Sequence, residues 1–374
     1  MSLFIFWNFD PEIVHLPMLA PRWYGLLFAI AFYAGYLILR KVWLKEKLTE
    51  KSLDSLSWYV ILATIIGARL GHVLFYGPWW DITDDFGTVL QEGYFSHPIS
   101  ILNIREGGLA SHGAALGILF ALWLYQRKVK IGKSYLWIVD RLVIVAAIGG
   151  AFVRFGNFTN SEIIGKPSDV STAVIFGYNS MNRLDQNISD DTNGLLGYDL
   201  QSRNQTEKVD DDTYAVYDLT LNFNGSEKSF TNFIKYGLPG VFNTSNRSYR
   251  HTLFNGSQEF EIAKSNGALS AKLKLLALPR HPAQLYEAVC YILIFILLML
   301  IYGKYGTNTP EGLMLGVYLA TVFTARFFIE FVKENQVDFE DDLSLNMGQN
   351  LSIPFVIIGV LLIVRSLMKK ASKS

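Results

Sequence analysis

Apolar residues in this chain fall in long unbroken runs, not in the three-to-four-residue rhythm of an amphipathic helix. Crossing the roughly 30 Å hydrocarbon core of a bilayer takes about 20 mostly apolar residues at about 1.5 Å each. Seven stretches meet that need, at about 22–39, 56–76, 109–125, 135–153, 284–302, 312–331 and 351–367. The run from Tyr291 to Tyr302, YILIFILLMLIY, is apolar on every side, as a lipid-facing helix should be. The run at 109–125 is shorter and contains glycine, alanine and His112. Small residues let backbones approach closely, so this helix is expected to face other helices.

Residues 166–280 break the pattern. They are polar and rich in Asn, Ser, Thr and Asp. The alternation from Tyr214 to Leu221 predicts a strand. Asn-Gly pairs at 224–225 and 255–256 predict hairpin turns. The Asn-x-Ser/Thr triplets at Asn187, Asn204 and Asn224 read as chance in an Asn-rich segment. The expected fold is an all-α polytopic membrane protein with about seven transmembrane helices and an inserted, mainly β extracytoplasmic domain. Its divisions are 1–165 (helices one to four), 166–280 (the insert) and 281–374 (helices five to seven).

Composition narrows the class further. The chain is 51% apolar, 14% aromatic and 18% charged, with 33 basic residues against 33 acidic. That excludes a disordered chain, and the lack of a basic excess argues against a nucleic-acid partner. Cys290 is the single cysteine, so no disulfide framework exists. Charge also orients the spans. Loop 40–51 carries Arg40, Lys41, Lys45, Lys47 and Lys51, loop 127–133 carries Arg127, Lys128, Lys130 and Lys133, and the tail carries Lys369, Lys370 and Lys373. Loop 77–107 sets Asp81, Asp84, Asp85, Glu92 and Glu106 against Arg105, and loop 333–347 holds Glu334, Asp338, Glu340, Asp341 and Asp342. Basic loops face the cytoplasm, so the N-terminus is expected outside and the C-terminus inside. Residues 1–20 lack the basic start and cleavage site of a signal peptide.

Ionisable residues in or near spans are costly to bury, which makes them informative. Tyr24 opens span one, Arg69 lies in span two and His112 in span three. Arg154, Asn157 and Glu162 sit in RFGNFTNSE at the end of span four, and Arg326 and Glu330 are four apart in span six. Each has an ordinary alternative. Tyr24 serves equally as an interfacial aromatic, Arg326 and Glu330 as an i,i+4 pair, and Arg69 as the partner of a neighbouring helix. Together, most of them fall toward the outer half of the bilayer. Two guanidiniums suit a phosphate, and a phosphate at the membrane surface is most simply a phospholipid head group. An imidazole there can act as a general base. The residues alone therefore point to a polytopic protein that handles an anionic lipid from its outer face.

RFGNFTNSE resembles the signature of the bacterial prolipoprotein diacylglyceryl transferase family, with Arg154, Gly156, Asn157, Phe158, Asn160, Glu162 and Gly165 in place. Other blocks of that family follow in order. They are Arg22-Trp23-Tyr24-Gly25, Gly67 to Gly71 with Phe75-Tyr76, Gly107-Gly108 through His112-Gly113, Arg280 to Glu287, Arg326-Phe327 with Glu330-Phe331, and Met347-Gly348-Gln349 with Leu351-Ser352. Val153 replaces the family's usual glycine, and Ala114 replaces a glycine after the His. Val322 stands where many members carry a tyrosine, so that hydroxyl is absent or supplied elsewhere. The insert at 166–280 exceeds the usual arm.

The resemblance implies transfer of a diacylglyceryl group from phosphatidylglycerol to the lipobox cysteine of a preprolipoprotein, in the bacterial plasma (inner) membrane. On it, Arg154 and Arg326 hold the phosphate, with Asn157 as a supporting donor. His112 is the candidate base, with Glu162 and Glu330 as alternatives that otherwise orient the arginines. Tyr24, Asn160, Gly165, Arg69 and Tyr286 join the substrate-binding candidates. The nucleophile is the substrate's thiol, not Cys290. No cofactor or metal is expected, since no Cys/His cluster has ligand spacing. Two rivals remain at this stage: a lipid transporter or flippase without chemistry, and a scaffold whose insert recruits a partner.

Overall fold

The computed structural model describes residues 4–15, 20–83, 89–102, 110–189, 194–243, 251–265, 267–335 and 343–371. Gly107-Gly108, Arg105, Glu106, Asp84, Asp85, Asp338, Glu340, Asp341, Asp342 and Lys373 lie outside the described residues. Seven long helices occupy the expected stretches: α1 (Trp23–Lys45), α2 (Glu50–Phe75), α3 (Ser111–Val129), α4 (Tyr135–Thr159), α8 (Ala283–Tyr305), α9 (Leu313–Ile329) and α10 (Met347–Ala371). Among the described residues, six of these segments are long and apolar enough to cross a membrane, and α3 is not among them. His112, Arg127 and Lys128 within its 19 residues dilute it. Caps fix where helices start. Thr49 accepts from the Ser52 N–H ahead of α2, and Asn346 and Gln349 accept reciprocally from each other's backbone N–H at the start of α10.

The chain divides into two compact units, and the long helices contribute to both. The first comprises Met1–Ala31, Gly149–Ile294 and Ala320–Ile357, the second Phe32–Ile148, Phe295–Leu319 and Ile358–Ser374.

In the second unit α2 and α3 pack through two Gly-x-x-x-Gly pairs, Gly67/Gly71 and Gly113/Gly117. A Cβ on Gly67 would stand 3.1 Å from the Gly117 Cα and press on the Gly113 carbonyl. Close backbone approach is what such pairs provide in lipid. It confirms the expected helix-facing side of α3, although Leu116 and Phe120 on its other side are exposed. Arg69 reaches the loop that follows α2. Its Nε and Nη2 donate to the carbonyls of Ile101 (2.8 Å) and Ser100 (2.6 Å), and its guanidinium lies over Tyr94. At the other end of this unit Arg141 pairs with Glu46 (3.0 Å), and Asp140 accepts from the backbone N–H groups of Gly312 (2.7 Å) and Leu315 (2.8 Å). Those are the orphan donors at the start of α9.

In the first unit β1 (Ile5–Trp7) pairs in parallel with β4 (Val174–Phe176). Helix α5 (Tyr178–Ser189) follows, then β5 (Leu195–Val209) and β6 (Asp212–Phe223). Short helices α6 (Glu227–Asn232) and α7 (Leu238–Phe242) precede β7 (Thr252–Leu253), β8 (Ile262–Ser265) and β9 (Ala268–Ala277). (The loop strands β2, Ile82–Thr83, and β3, Val89–Gln91, belong to the second unit.) The sheet runs β5-β6-β9-β7, with β8 also on β9. Alternation sets its core: Ala215, Tyr217, Leu219 and Leu221 of β6 and Ala271, Leu273 and Leu275 of β9 pack on Met181, Phe230, Ile234 and Phe242. The strand read at 214–221 is therefore real, but the expected hairpins are displaced. Asn224-Gly225 leads from β6 to the Ser226 cap of α6, and 255–256 lies between β7 and β8, which do not pair with each other. The tight turns are elsewhere: Val209 pairs with Asp212 across Asp210 (φ +55°), and Ser265 with Ala268 across Gly267 (φ +85°). On α8, the apolar run is not lipid-facing throughout: Leu293 and Leu300 are exposed while Ile294 and Leu298 are buried.

His251 is 1% exposed, and neither ring nitrogen has a hydrogen-bond partner among the described residues. Burial, and then the nearby Arg280 cation, push its pKa down to about 3. An unfolded histidine titrates near 6.5, so its folded-state contribution is complete above about pH 6.5 and is lost as pH falls from there toward 3. At about pH 5 the loss is about 2 kcal/mol. Melting at about pH 7.5 and 5.0 should show wild type losing about 2 kcal/mol more than His251→Phe. Equal losses would remove His251 as the cause. Independently, Gly67→Leu should sharply reduce folded yield in detergent, while Gly303→Ala, whose added Cβ meets nothing within 4 Å, should not.

Candidate active site

The signature segment builds one wall of the site. Arg154 and Asn157 stand three apart on the last turns of α4, and the Arg154 Nη1 donates to the Asn157 Oδ1 (3.2 Å). The chain then turns sharply, with Ser161 (φ +53°) and Ile163 (φ +57°) in the left-handed region on either side of Glu162. Such residues cost of order 1 kcal/mol or more each and persist only where the surroundings dictate them. Here they return the Glu162 side chain onto the helix end, where it accepts from the Asn157 Nδ2 (2.8 Å) and Asn160 Nδ2 (3.4 Å). The buried Gln284 donates to the Glu162 carbonyl (2.6 Å). Tyr24 packs against Gly156, where a Cβ would stand 2.6 Å from its ring, and falls within electrostatic reach of both Arg154 and Glu162.

Beyond the turn, residues 164–167 run between two other segments. Gly165 bridges Lys333, and Pro167 bridges Arg280. The Lys166 N–H donates to Val332 (2.8 Å), and the Gly165 N–H to His281 (3.0 Å). A side chain on Gly165 would press into His281 and the Val332 carbonyl, which is the physical reason for a glycine there. Arg280, 1% exposed, donates to the Gly165 carbonyl (3.2 Å) and the Glu334 carboxylate (2.7 Å).

The opposite wall comes from α8 and the end of α9. Glu287, in the first turns of α8 and 2% exposed, forms an ion pair with the Arg154 Nε. Arg326 stands 3.6 Å from Glu330, and Tyr291 and Glu287 lie within its electrostatic reach. Lys333 contacts Glu330 (3.0 Å) and Glu287 (3.6 Å). Asn346 donates to the Glu330 Oε2 (3.4 Å), and Gly348 leaves the space that the carboxylate occupies. Both arginines thus bear on one buried carboxylate. Chemically the cluster sets two guanidiniums and an ammonium among buried carboxylates and amides.

A sequence profile of the prolipoprotein diacylglyceryl transferase family matches residues 11–365. The chain belongs to that family. It is 35% identical over 365 residues to the phosphatidylglycerol–prolipoprotein diacylglyceryl transferase of Chloroherpeton thalassium, covering 98% of this chain and 95% of that protein. The transferase of the same name from Tolumonas auensis is 32% identical, covering 98% and 99%, and that from Porphyromonas gingivalis 34%, covering 98% and 96%. Those relatives are matched almost end to end, so the insert at 166–280 has a counterpart in them. With its apolar helices, this chain is a multi-pass bacterial membrane protein.

Of the residues singled out from sequence, the structure gathers Tyr24, Arg154, Asn157, Asn160, Glu162, Arg326 and Glu330, with Gly165 at the margin. Tyr286 is engaged beside them, its hydroxyl near His281 Nδ1 (3.2 Å) and Thr172 (3.3 Å). Arg69 and His112 belong to the second unit. There the Ala110 N–H donates to the Ala68 carbonyl (2.9 Å), and His112 is exposed at the second position of α3. Glu287, Lys333 and Tyr291 were not read as site residues. Glu287 had a signal, an acid at the mouth of an apolar span. Lys333 had only its place three residues after Glu330. Tyr291 offers Arg326 a hydroxyl, and Val322 lines the same small cavity together with Cys290, Glu287 and Arg326.

Proposed function

We propose that this protein transfers the diacylglyceryl group of phosphatidylglycerol to the lipobox cysteine of a prolipoprotein, the first step of bacterial lipoprotein maturation. It does so in the plasma membrane, with the N-terminus and the 166–280 segment outside and the C-terminus in the cytoplasm. The substrate's sulfur attacks the sn-3 carbon of the diacylglycerol, and a thioether C–S bond forms. The C–O bond to phosphate breaks, and glycerol phosphate leaves with the electron pair. A base takes the thiol proton, because a free thiol with pKa near 8.5 is a weak nucleophile at neutral pH.

The observation that carries this reading is the pair of guanidiniums in one cluster, Arg154 ion-paired to the buried Glu287 and Arg326 to Glu330, with Lys333 bridging the two acids. Planar two-pronged donors suit a phosphodiester, and fixed cations stabilise the charge that grows on the leaving phosphate. Asn157 and Glu162 hold the Arg154 side, Glu330 holds Arg326, and Tyr24 closes the head-group pocket. Glu162 and Glu330 already accept from protein donors. His112, which stands at the family's histidine position, is the proposed acceptor of the thiol proton.

Purified protein with phosphatidylglycerol and a lipobox peptide should add a diacylglyceryl mass to the peptide and release glycerol phosphate. Lipid binding without product would favour a carrier instead. Arg154→Lys should lower turnover about 100-fold, since the charge stays while the fork is lost. It is a cleaner variant than Arg154→Ala, which strips Glu287 of a partner. His112→Gln should be inactive and folded. Normal turnover in both would overturn the residue roles. Pretreatment with N-ethylmaleimide, with excess reagent removed before peptide is added, should slow wild type about tenfold through crowding at Cys290, and Cys290→Ser should resist it. Equal sensitivity would place the modification elsewhere.

A further inference from the structure

We infer that Lys333 is a positioning residue for the transfer, fixing the separation of Arg154 and Arg326 through the two carboxylates it bridges. The inference rests on the functional reading above. Lys333 stands 3.0 Å from Glu330 and 3.6 Å from Glu287. Glu287 pairs with Arg154, and Glu330 with Arg326 at 3.6 Å. The five groups form one alternating row: Arg154, Glu287, Lys333, Glu330, Arg326. Lys333 is its centre, and the row has three cations against two anions.

Lys333 does not itself serve as a head-group ligand. It is 5% exposed, and its ammonium is taken up by two carboxylates that are themselves buried. Its backbone is pinned as well. Lys333 bridges Gly165, the Glu334 N–H donates to Ile164 (3.3 Å), and the Glu334 carboxylate is held by Arg280. The ammonium therefore has a fixed place relative to the signature turn. Without that charge, Glu287 and Glu330 face each other across poorly solvated space with like sign, where repulsion is weakly screened. Each then draws on its arginine or swings away, and the two guanidiniums lose their set spacing. A misplacement of about 1 Å can cost about 100-fold in rate, and it weighs on the transition state more than on ground-state binding.

The test uses the full-length protein in proteoliposomes, with peptide modification followed against phosphatidylglycerol concentration. Lys333→Met should lower kcat about 10–100-fold while KM for the lipid stays within about threefold. Lys333→Arg, which keeps charge and reach, should recover kcat to within about threefold of wild type. Rates are expressed per folded protein, read from thermal melting of the same samples. Glu287→Gln combined with Lys333→Met removes one charge of each sign and should lose less than the two single losses multiplied. Lys333→Met at wild-type kcat would overturn the inference, as would folded but inactive Lys333→Arg, or losses that track only the folded fraction. Should Lys333→Met not fold, the Lys333→Arg rate still decides. Absence of product from wild type would instead overturn the functional reading itself.

Discussion

A charge placed at the edge of hydrocarbon needs a partner of opposite sign, and the first unit is arranged around meeting that need. Arg154 and Arg326 are held by Glu287 and Glu330, with Lys333 set between the two acids. Removing any one member leaves another buried and uncompensated, which is far more costly than the pair's net contribution. The local backbone follows from this. The left-handed residues at 161 and 163 exist where Glu162 must return to Asn157, and Gly156, Gly165 and Gly348 stand where a side chain would displace Tyr24, His281 or Glu330.

The second unit meets a different constraint with different means. Its helices associate where no hydrophobic gain separates lipid from protein, so close glycine contact and interior polar bonds do the joining. The Gly67/Gly71 and Gly113/Gly117 pairs supply the first, and Arg141, Glu46 and Asp140 the second. Asp140 is an acid in a candidate span that bears no sign of chemistry. Its two backbone bonds account for it.

Long apolar runs were legible because a bilayer imposes a length and a composition on each crossing, and the helix positions follow the sequence closely. The third helix was legible as a helix but falls short as an apolar span, since His112, Arg127 and Lys128 dilute it. Arg154, Glu162, Arg326 and Glu330 stood out as costly ions near hydrocarbon, and Asn157 as a polar amide among them. Glu287 and Lys333 did not, because they lie at span ends, where charges are common, and their meaning comes from contacts far apart in sequence. Turn chemistry misled for a related reason. Asn-Gly allows a hairpin, but the partner strand decides whether one forms, and 224–225 is followed by a helix cap.

The strip at 164–167 joins residues around 280 to residues around 333. More than 160 positions of chain separate Gly165 from Lys333, so the clasp is a long-range contact that local structure cannot close. A nascent chain that has inserted its first four helices holds the whole signature motif but has nowhere to dock it. The signature turn therefore finds its docking partners only once the segments around 280 and 333 have been made.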